Sequence, residues 1–216
     1  MLTLSEFTAR ISSLQWSAIE HGAVQMALLQ EVAFARPDFL ETLLDHSLSA
    51  PALRSLAETN ATLRRLVLFQ CAETGARLRF HMFHPGADAR PHDHAWPFCS
   101  FLLTGGYEHS LFIRDATGTQ GAPVHIMTHD LGPGQSYFLG AKAIHRTSVR
   151  TPTASFILQG PREQAGWTRF ACRQERYGAA PSGNPGGRRL SDGELRELAD
   201  ACRAAARSFQ NDAPSA

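Results

Sequence analysis

From about Leu63 the sequence stops repeating at helical intervals and breaks into short runs closed by Gly, Pro or Asp. The runs that read as strands are Leu63–Cys71, Arg77–His84, Phe98–Leu103, Tyr107–Arg114, Pro123–Asp130, Gln135–Leu139, His145–Arg150, Ala154–Gln159 and Trp167–Arg176. Glu73-Thr74-Gly75, Gly105-Gly106, Asp115-Ala116-Thr117-Gly118 and Gly132-Pro133-Gly134 supply the turns between them. Many short strands with no helix between them predict an antiparallel sandwich or barrel of the jelly-roll kind.

The flanks carry a different period. Leu4, Phe7, Ile11, Leu14 and Ala18 recur at three- and four-residue steps, the spacing of one helix face. Gly22 interrupts that pattern, and Ala23 to Phe34 reads as a second helix. Pro37 suits the first turn of a helix carrying Phe39, Leu40, Leu43 and Leu44, and Ser49 is placed to cap a short one over Leu53 and Leu56. After Tyr177 a stretch rich in Gly, Pro and Ser reads as a flexible linker. A last helix follows, with Ser191 and Glu194 as a capping box and Leu195, Leu198, Cys202 and Phe209 on one apolar stripe. That stripe docks either on the barrel or on a second subunit. The expected organisation is N-terminal helices over 1–60, a β-barrel over 61–177, a linker over 178–190 and a helix over 191–210.

Bulk properties narrow the function. A formal net charge of +1 gives no reason to expect nucleic acid or an anionic membrane surface as partner. No apolar run approaches the roughly 20 residues that cross a bilayer, and the start lacks the basic head and apolar stretch of a signal peptide. Four scattered cysteines, Cys71, Cys99, Cys172 and Cys202, make neither a CxxC pair nor a dense disulfide framework. The expected setting is cytoplasmic.

Chemistry concentrates at His92-Asp93-His94. Side chains two apart on a strand point the same way, so His92 and His94 can aim two imidazoles at one point, and imidazole is the commonest metal-ligating side chain. Around the pair, Gly86, His92, His94, Cys99 and Gly106 form one spaced motif, and Gly134, Gly140, Lys142 and His145 form a second. In order and spacing these resemble the two motifs of the cupin superfamily, with Cys99 where most cupins carry Glu and with the middle pair of the second motif replaced. The resemblance implies a cupin jelly-roll barrel, mainly β, with a metal on His92, His94 and His145. Cupins commonly form dimers, so a homodimer is an expected assembly.

Two ligands on one strand and a third on a facing strand cover one face of a metal and leave the opposite positions for substrate and dioxygen, the logic of non-haem iron oxygenases. Three neutral imidazoles leave the full charge on the ion, which favours an anionic bidentate substrate. Fe(II) is the expected cofactor, with Zn, Mn and Ni as alternatives, since an open three-histidine site also suits a Lewis acid.

Cys99 with three histidines is similar to the cysteine dioxygenase family of thiol dioxygenases. Upstream, Arg64-Arg65-Leu66-Val67 matches that family's carboxylate-binding Arg, making Arg64 the candidate and Arg65 the alternative. The family's Ser-x-His-x-Tyr run corresponds to Ser155-Phe156-Ile157-Leu158-Gln159, so Ser155 is kept and Gln159 stands for Tyr. The resemblance thus implies no Cys–Tyr cross-link and a substrate that need not be a small thiol. Cys99 and Gln159 are the expected catalytic pocket residues. Arg79, His81, Phe83, Trp96 and Tyr107 are further substrate-facing candidates, each with an ordinary barrel role as the alternative. His125 and His129, alternating without a third partner, read as solvated or core histidines, and Cys71, Cys172 and Cys202 as small core residues. The function expected is an iron dioxygenase acting on a small carboxylate-bearing substrate. A metal-dependent lyase or isomerase and a non-catalytic binding protein are the rivals.

Overall fold

The computed structural model describes residues 2–16, 22–34, 37–87, 90–114, 123–170 and 187–212. Four helices come first: α1 (Leu4–Ser12), α2 (Gly22–Ala33), α3 (Pro37–Ser49) and the short α4 (Pro51–Arg54). Thr3 starts α1 with a capping box, its hydroxyl accepting the Glu6 N–H while the Glu6 carboxylate accepts the Thr3 N–H at 2.8 Å. Ser49 does not cap α4. Its hydroxyl donates to the Asp45 carbonyl inside α3, and Ala50 takes the cap position without a side-chain bond. Ala18, the last residue of the expected first helix stripe, lies outside the described residues.

Ten strands follow: β1 (Glu58–Thr59), β2 (Leu63–Gln70), β3 (Arg77–Phe83), β4 (Phe98–Thr104), β5 (Tyr107–Ile113), β6 (Val124–Leu131), β7 (Ser136–Leu139), β8 (Ile144–Val149), β9 (Thr153–Gln159) and β10 (Arg188–Arg189). They form a seven-stranded antiparallel sheet, β10-β1-β2-β3-β9-β4-β7, and a three-stranded one, β6-β5-β8. This is the expected jelly-roll class, a β-barrel with a helical layer before it and a helix after it. Gly105 shows how the turns work. Its φ of +72° is a left-handed value, and a Cβ there would overlap the Pro152 carbonyl, so glycine lets the β4–β5 turn close against β9.

The large sheet is covered on both faces. One alternate set of side chains, including Leu66, Leu78, Phe80, Phe101, Phe156 and Leu158, packs in a single core with α1, α2 and α3. The other set faces the small sheet and makes the barrel lumen, where Phe83, Leu102 and Tyr107 meet Val149. Burial on both faces explains why β4 and β9 read as nearly continuous apolar runs.

The helix α5 (Asp192–Asp212) settles the open alternative for the apolar stripe. Leu195, Leu198, Cys202 and Phe209 are buried within the chain's own core, and the Phe209 and Phe101 rings stand 5.2 Å apart edge to face. It docks on the helix-facing side of the barrel. Ser191 and Glu194 make its capping box. The end of the expected linker is ordered: Arg188–Arg189 pairs with β1 and Leu190 is buried. Residues 178–186 of that stretch, the expected turn at 115–118, Cys172 and residues 171–176 of the last expected strand lie outside the described residues. In the described part of that strand, Arg169 makes an isolated bridge to His92.

Candidate metal centre

His92 and His94 do not sit on a strand as expected. They lie in the segment between β3 and β4, held extended by isolated antiparallel bridges from His92 to Arg169 and to His145, the latter exchanging backbone bonds of 2.9 Å in both directions. The Lys142 N–H donates to the His94 carbonyl, fixing the other end of the segment to the turn before β8. The two-residue alternation therefore survives without a sheet ladder. His145 is in β8, and the ligand-type nitrogens of His92, His94 and His145 all lie within 4.8 Å of one another. Among the described residues no carboxylate belongs to this group. The group can hold a metal ion.

Three observations test that fit. His92 Nδ1 is 2.8 Å from the Arg90 carbonyl, which can only accept, so Nδ1 carries the proton and Nε2 keeps a free lone pair. His94 Nε2 and His145 Nε2 face each other at 2.9 Å, converging two ring nitrogens on one point. His145 Nδ1 lies 3.0 Å from His109 Nε2, an outer contact of the kind that orients a ligating imidazole. Burial holds all three histidines below the ordinary histidine range. For His94 and His145 the other histidines add to it, and for His92 Arg169 adds while the Arg90 carbonyl opposes. Neutral imidazoles at neutral pH are what a metal requires.

Asp93, between the two histidines, serves the frame instead. It is buried, its Oδ2 accepts from Arg114 at 2.6 Å, and its Oδ1 accepts the Thr168 N–H. Together with the Phe170 N–H bonded to the Pro91 carbonyl, this straps residues 168–170 across the histidine segment.

The sequence candidates divide by the face they occupy. Cys99 points away from the histidines: its thiol lies against the Gly22 carbonyl and the Gln25 amide of α2, and burial pushes it up to about 12. Its neighbour Phe98 is the residue that reaches the site, 4.8 Å from His94 and 5.7 Å from His145 between ring centres. Strand alternation is the physical reason, since Phe98 and Cys99 must face opposite ways. Arg64 likewise turns outward, donating to the Glu194 carbonyl and pairing with Glu197 of α5, so it is no substrate anchor. Arg65 faces inward, opposite His81, but its guanidinium pairs with Glu58.

Gln159, Arg79 and His81 do line the lumen. Register sets Gln159 beside Phe98 and Arg77, Arg79 beside Ile157, and His81 beside Ser155. Trp96 stands next to His94, ring centres 6.0 Å apart, with the Arg79 guanidinium 5.8 Å from the indole. Phe83 and Tyr107 meet farther along the lumen at 5.6 Å, where the Tyr107 hydroxyl contacts Tyr137 and Ser100. They are packing residues there.

His109 escaped the sequence reading. It is buried beside His145, stacks on Tyr137 at 4.4 Å, and approaches His129 at 3.5 Å. His129 is thus drawn into the lumen, whereas His125 is exposed and bonded to Thr128. The alternation Tyr107-x-His109 on a strand beside β8 was the available signal.

Fold and site together define a jelly-roll barrel carrying a carboxylate-free three-histidine group. No protein-family model matches the sequence, and no curated protein does. Several solved structures are similar to part of the chain. The polyketide cyclase RemF from Streptomyces resistomycificus is similar at 22% identity and a TM-score of 0.39, over 54% of this chain and 75% of that one. An uncharacterized conserved protein with a double-stranded beta-helix domain from Klebsiella pneumoniae is similar at 14% identity and a TM-score of 0.39, over 60% and 95%. Hydroquinone 1,2-dioxygenase PnpCD, in complex with Cd2+ and 4-hydroxybenzonitrile, is similar at 12% identity and a TM-score of 0.36, over 44% and 61%. Likeness at this level assigns neither activity nor ligand. Among the described residues no helix is long and apolar enough to cross a membrane.

Proposed function

We propose that this protein is a mononuclear, three-histidine metal oxygenase of the cupin type, acting with dioxygen on a small carboxylate-bearing molecule. The observation that carries the reading is the convergence of His92, His94 and His145 without a carboxylate. Those three imidazoles hold the ion, Fe(II) by preference. Bound there, iron supplies a redox-active centre with open coordination positions for an anionic substrate and dioxygen.

The chain's own residues prepare that chemistry. The Arg90 carbonyl keeps the His92 proton on Nδ1, leaving Nε2 to bind. His109 positions the His145 ring from behind. Phe98 and Trp96 wall the site and exclude water, which strengthens every charge interaction inside it. Cys99, on the far side of the sheet, takes no part, so the thiol chemistry implied by the cysteine dioxygenase resemblance loses its cysteine.

An oxygen-electrode screen tests the reading. Iron-loaded protein is expected to consume oxygen in step with the loss of one substrate from a panel of thiols, amino acids and other carboxylates. Turnover that proceeds without oxygen would contradict it and favour a lyase or isomerase.

A further inference from the structure

Arg79 stands in the middle of β3, 6% exposed, and among the described residues no carboxylate pairs with it. Its nearest charges are Arg65 and Arg77, and its Nε has no hydrogen-bond partner. An unpaired guanidinium in a barrel lumen is costly, and arginine does not escape the cost by losing its proton. Three more buried polar atoms are unpartnered beside it: His81 Nε2, Ser155 Oγ and Gln159 Oε1. Register puts all four side chains on the lumen face of β3 and β9, the face that also carries Phe98. Orphaned buried groups are rare in folded proteins, and four on one face mark a place built for something else to bind.

Charge says what that is. The neighbours of Arg79 are better served: Arg65 pairs with Glu58, Asp93 with Arg114, and Arg77 donates to the Gln70 amide oxygen. A divalent ion on three neutral histidines adds two positive charges, and Arg79 adds one. Arg79 and His94 flank the same Trp96 ring, at 5.8 and 6.0 Å, so one small molecule can span both.

We propose that Arg79, with Gln159, Ser155 and His81, binds a second anionic group, and that the substrate is a small dianion with one anionic end on the metal and the other on Arg79. This rests on the metal-centre reading above and names its substrate class. A planar carboxylate suits the guanidinium fork, and the Gln159 Nε2–H and Ser155 hydroxyl supply donors to its second oxygen, while the unpartnered Gln159 Oε1, an acceptor, takes a donor from elsewhere on the ligand. His81 adds one further donor if its Nε2 carries the proton.

The test uses zinc-loaded protein, which avoids turnover, and calorimetric titration with malonate, succinate and glutarate against acetate and propionate at matched ionic strength. The best dicarboxylate is expected to bind about tenfold or more tighter than either monocarboxylate, the value of one charged hydrogen-bonded contact. Arg79→Met is expected to erase that advantage while monocarboxylate binding stays within about threefold, and Gln159→Leu to reduce it in part. Metal-free Arg79→Met should melt above the metal-free parent, because an unpaired buried cation is replaced by an apolar chain of similar length. Equal binding of both classes, an advantage that survives Arg79→Met, or a lower melting point of that variant would overturn the proposal. If the parent takes up no zinc, the metal-centre reading fails by itself. The melting comparison, with a succinate-induced rise that Arg79→Met abolishes, then still decides Arg79.

Discussion

On the helix-facing side of the seven-stranded sheet stand Phe80, Phe101, Phe156 and Leu158, all essentially without solvent contact. On the lumen side of the same strands stand Arg79, His81, Ser155 and Gln159, also buried or nearly so, yet with polar atoms lacking partners. Strands β3 and β9 contribute to both sets one residue apart. The helix-facing side is filled by hydrocarbon that satisfies itself. The lumen side carries polar groups that, on the proposed reading, a bound ion or anion would satisfy. That reading separates stability from function by the thickness of one sheet, and a substitution should report which side it touches.

The largest effect belongs to the helix-facing side. Phe156→Ala is expected to destabilise the protein by about 3–5 kcal/mol through lost transfer energy and a cavity, measured by urea denaturation. If it still folds, its metal affinity should match the parent's. A stability loss below about 1 kcal/mol would mean that the two faces are not divided as described.

Acid sharpens the lumen side next. His109 is held down to about 4, first by burial and then by His129 and His92, against an ordinary 6.5. Burial also leads in lowering His92, His94 and His145. Between those values the unfolded chain binds protons that the folded one does not. Stability present above 6.5 is therefore lost as pH falls toward 4. His109 alone accounts for roughly 3 kcal/mol. Urea midpoints of the metal-free protein should fall steeply across that window, and a flat profile would contradict the neutral, buried histidine set.

His109→Phe removes the outer contact on His145 while keeping an aromatic ring against Tyr137. Zinc affinity in a competition assay is expected to drop by about 10- to 100-fold, the range for outer-shell partners. Unchanged affinity would reduce His109 to packing. The smallest effect expected is that of Cys99→Ala, about 1 kcal/mol of stability with metal content and oxygen consumption unaltered. Loss of either would return Cys99 to the site.

Much of this division was legible in the sequence. Eight of the nine expected strands fall within a residue or so of those found, because their turns are marked by Gly, Pro and Asp. His92 and His94 were legible as a pair through their spacing, and His145 joined them through the motif order that the cupin resemblance implies. The faces of Cys99 and Arg64 were legible in principle, since each adjoins a residue that faces inward, Phe98 and Arg65. Motif position outweighed alternation there, and alternation was right. Other features depend on contacts far apart in the chain. The docking of α5, the β10 pairing of Arg188–Arg189, the strap from Thr168 to Asp93 and the reach of His109 to His145 leave no local period to read.

The central claim is the metal on His92, His94 and His145. Its most direct measurement is elemental analysis of protein purified anaerobically with no metal added, parent beside His145→Ala. The expected result is about one transition-metal ion per chain in the parent and close to none in the variant, with the variant still folded. A parent without bound metal, or a variant that retains it, would contradict the account.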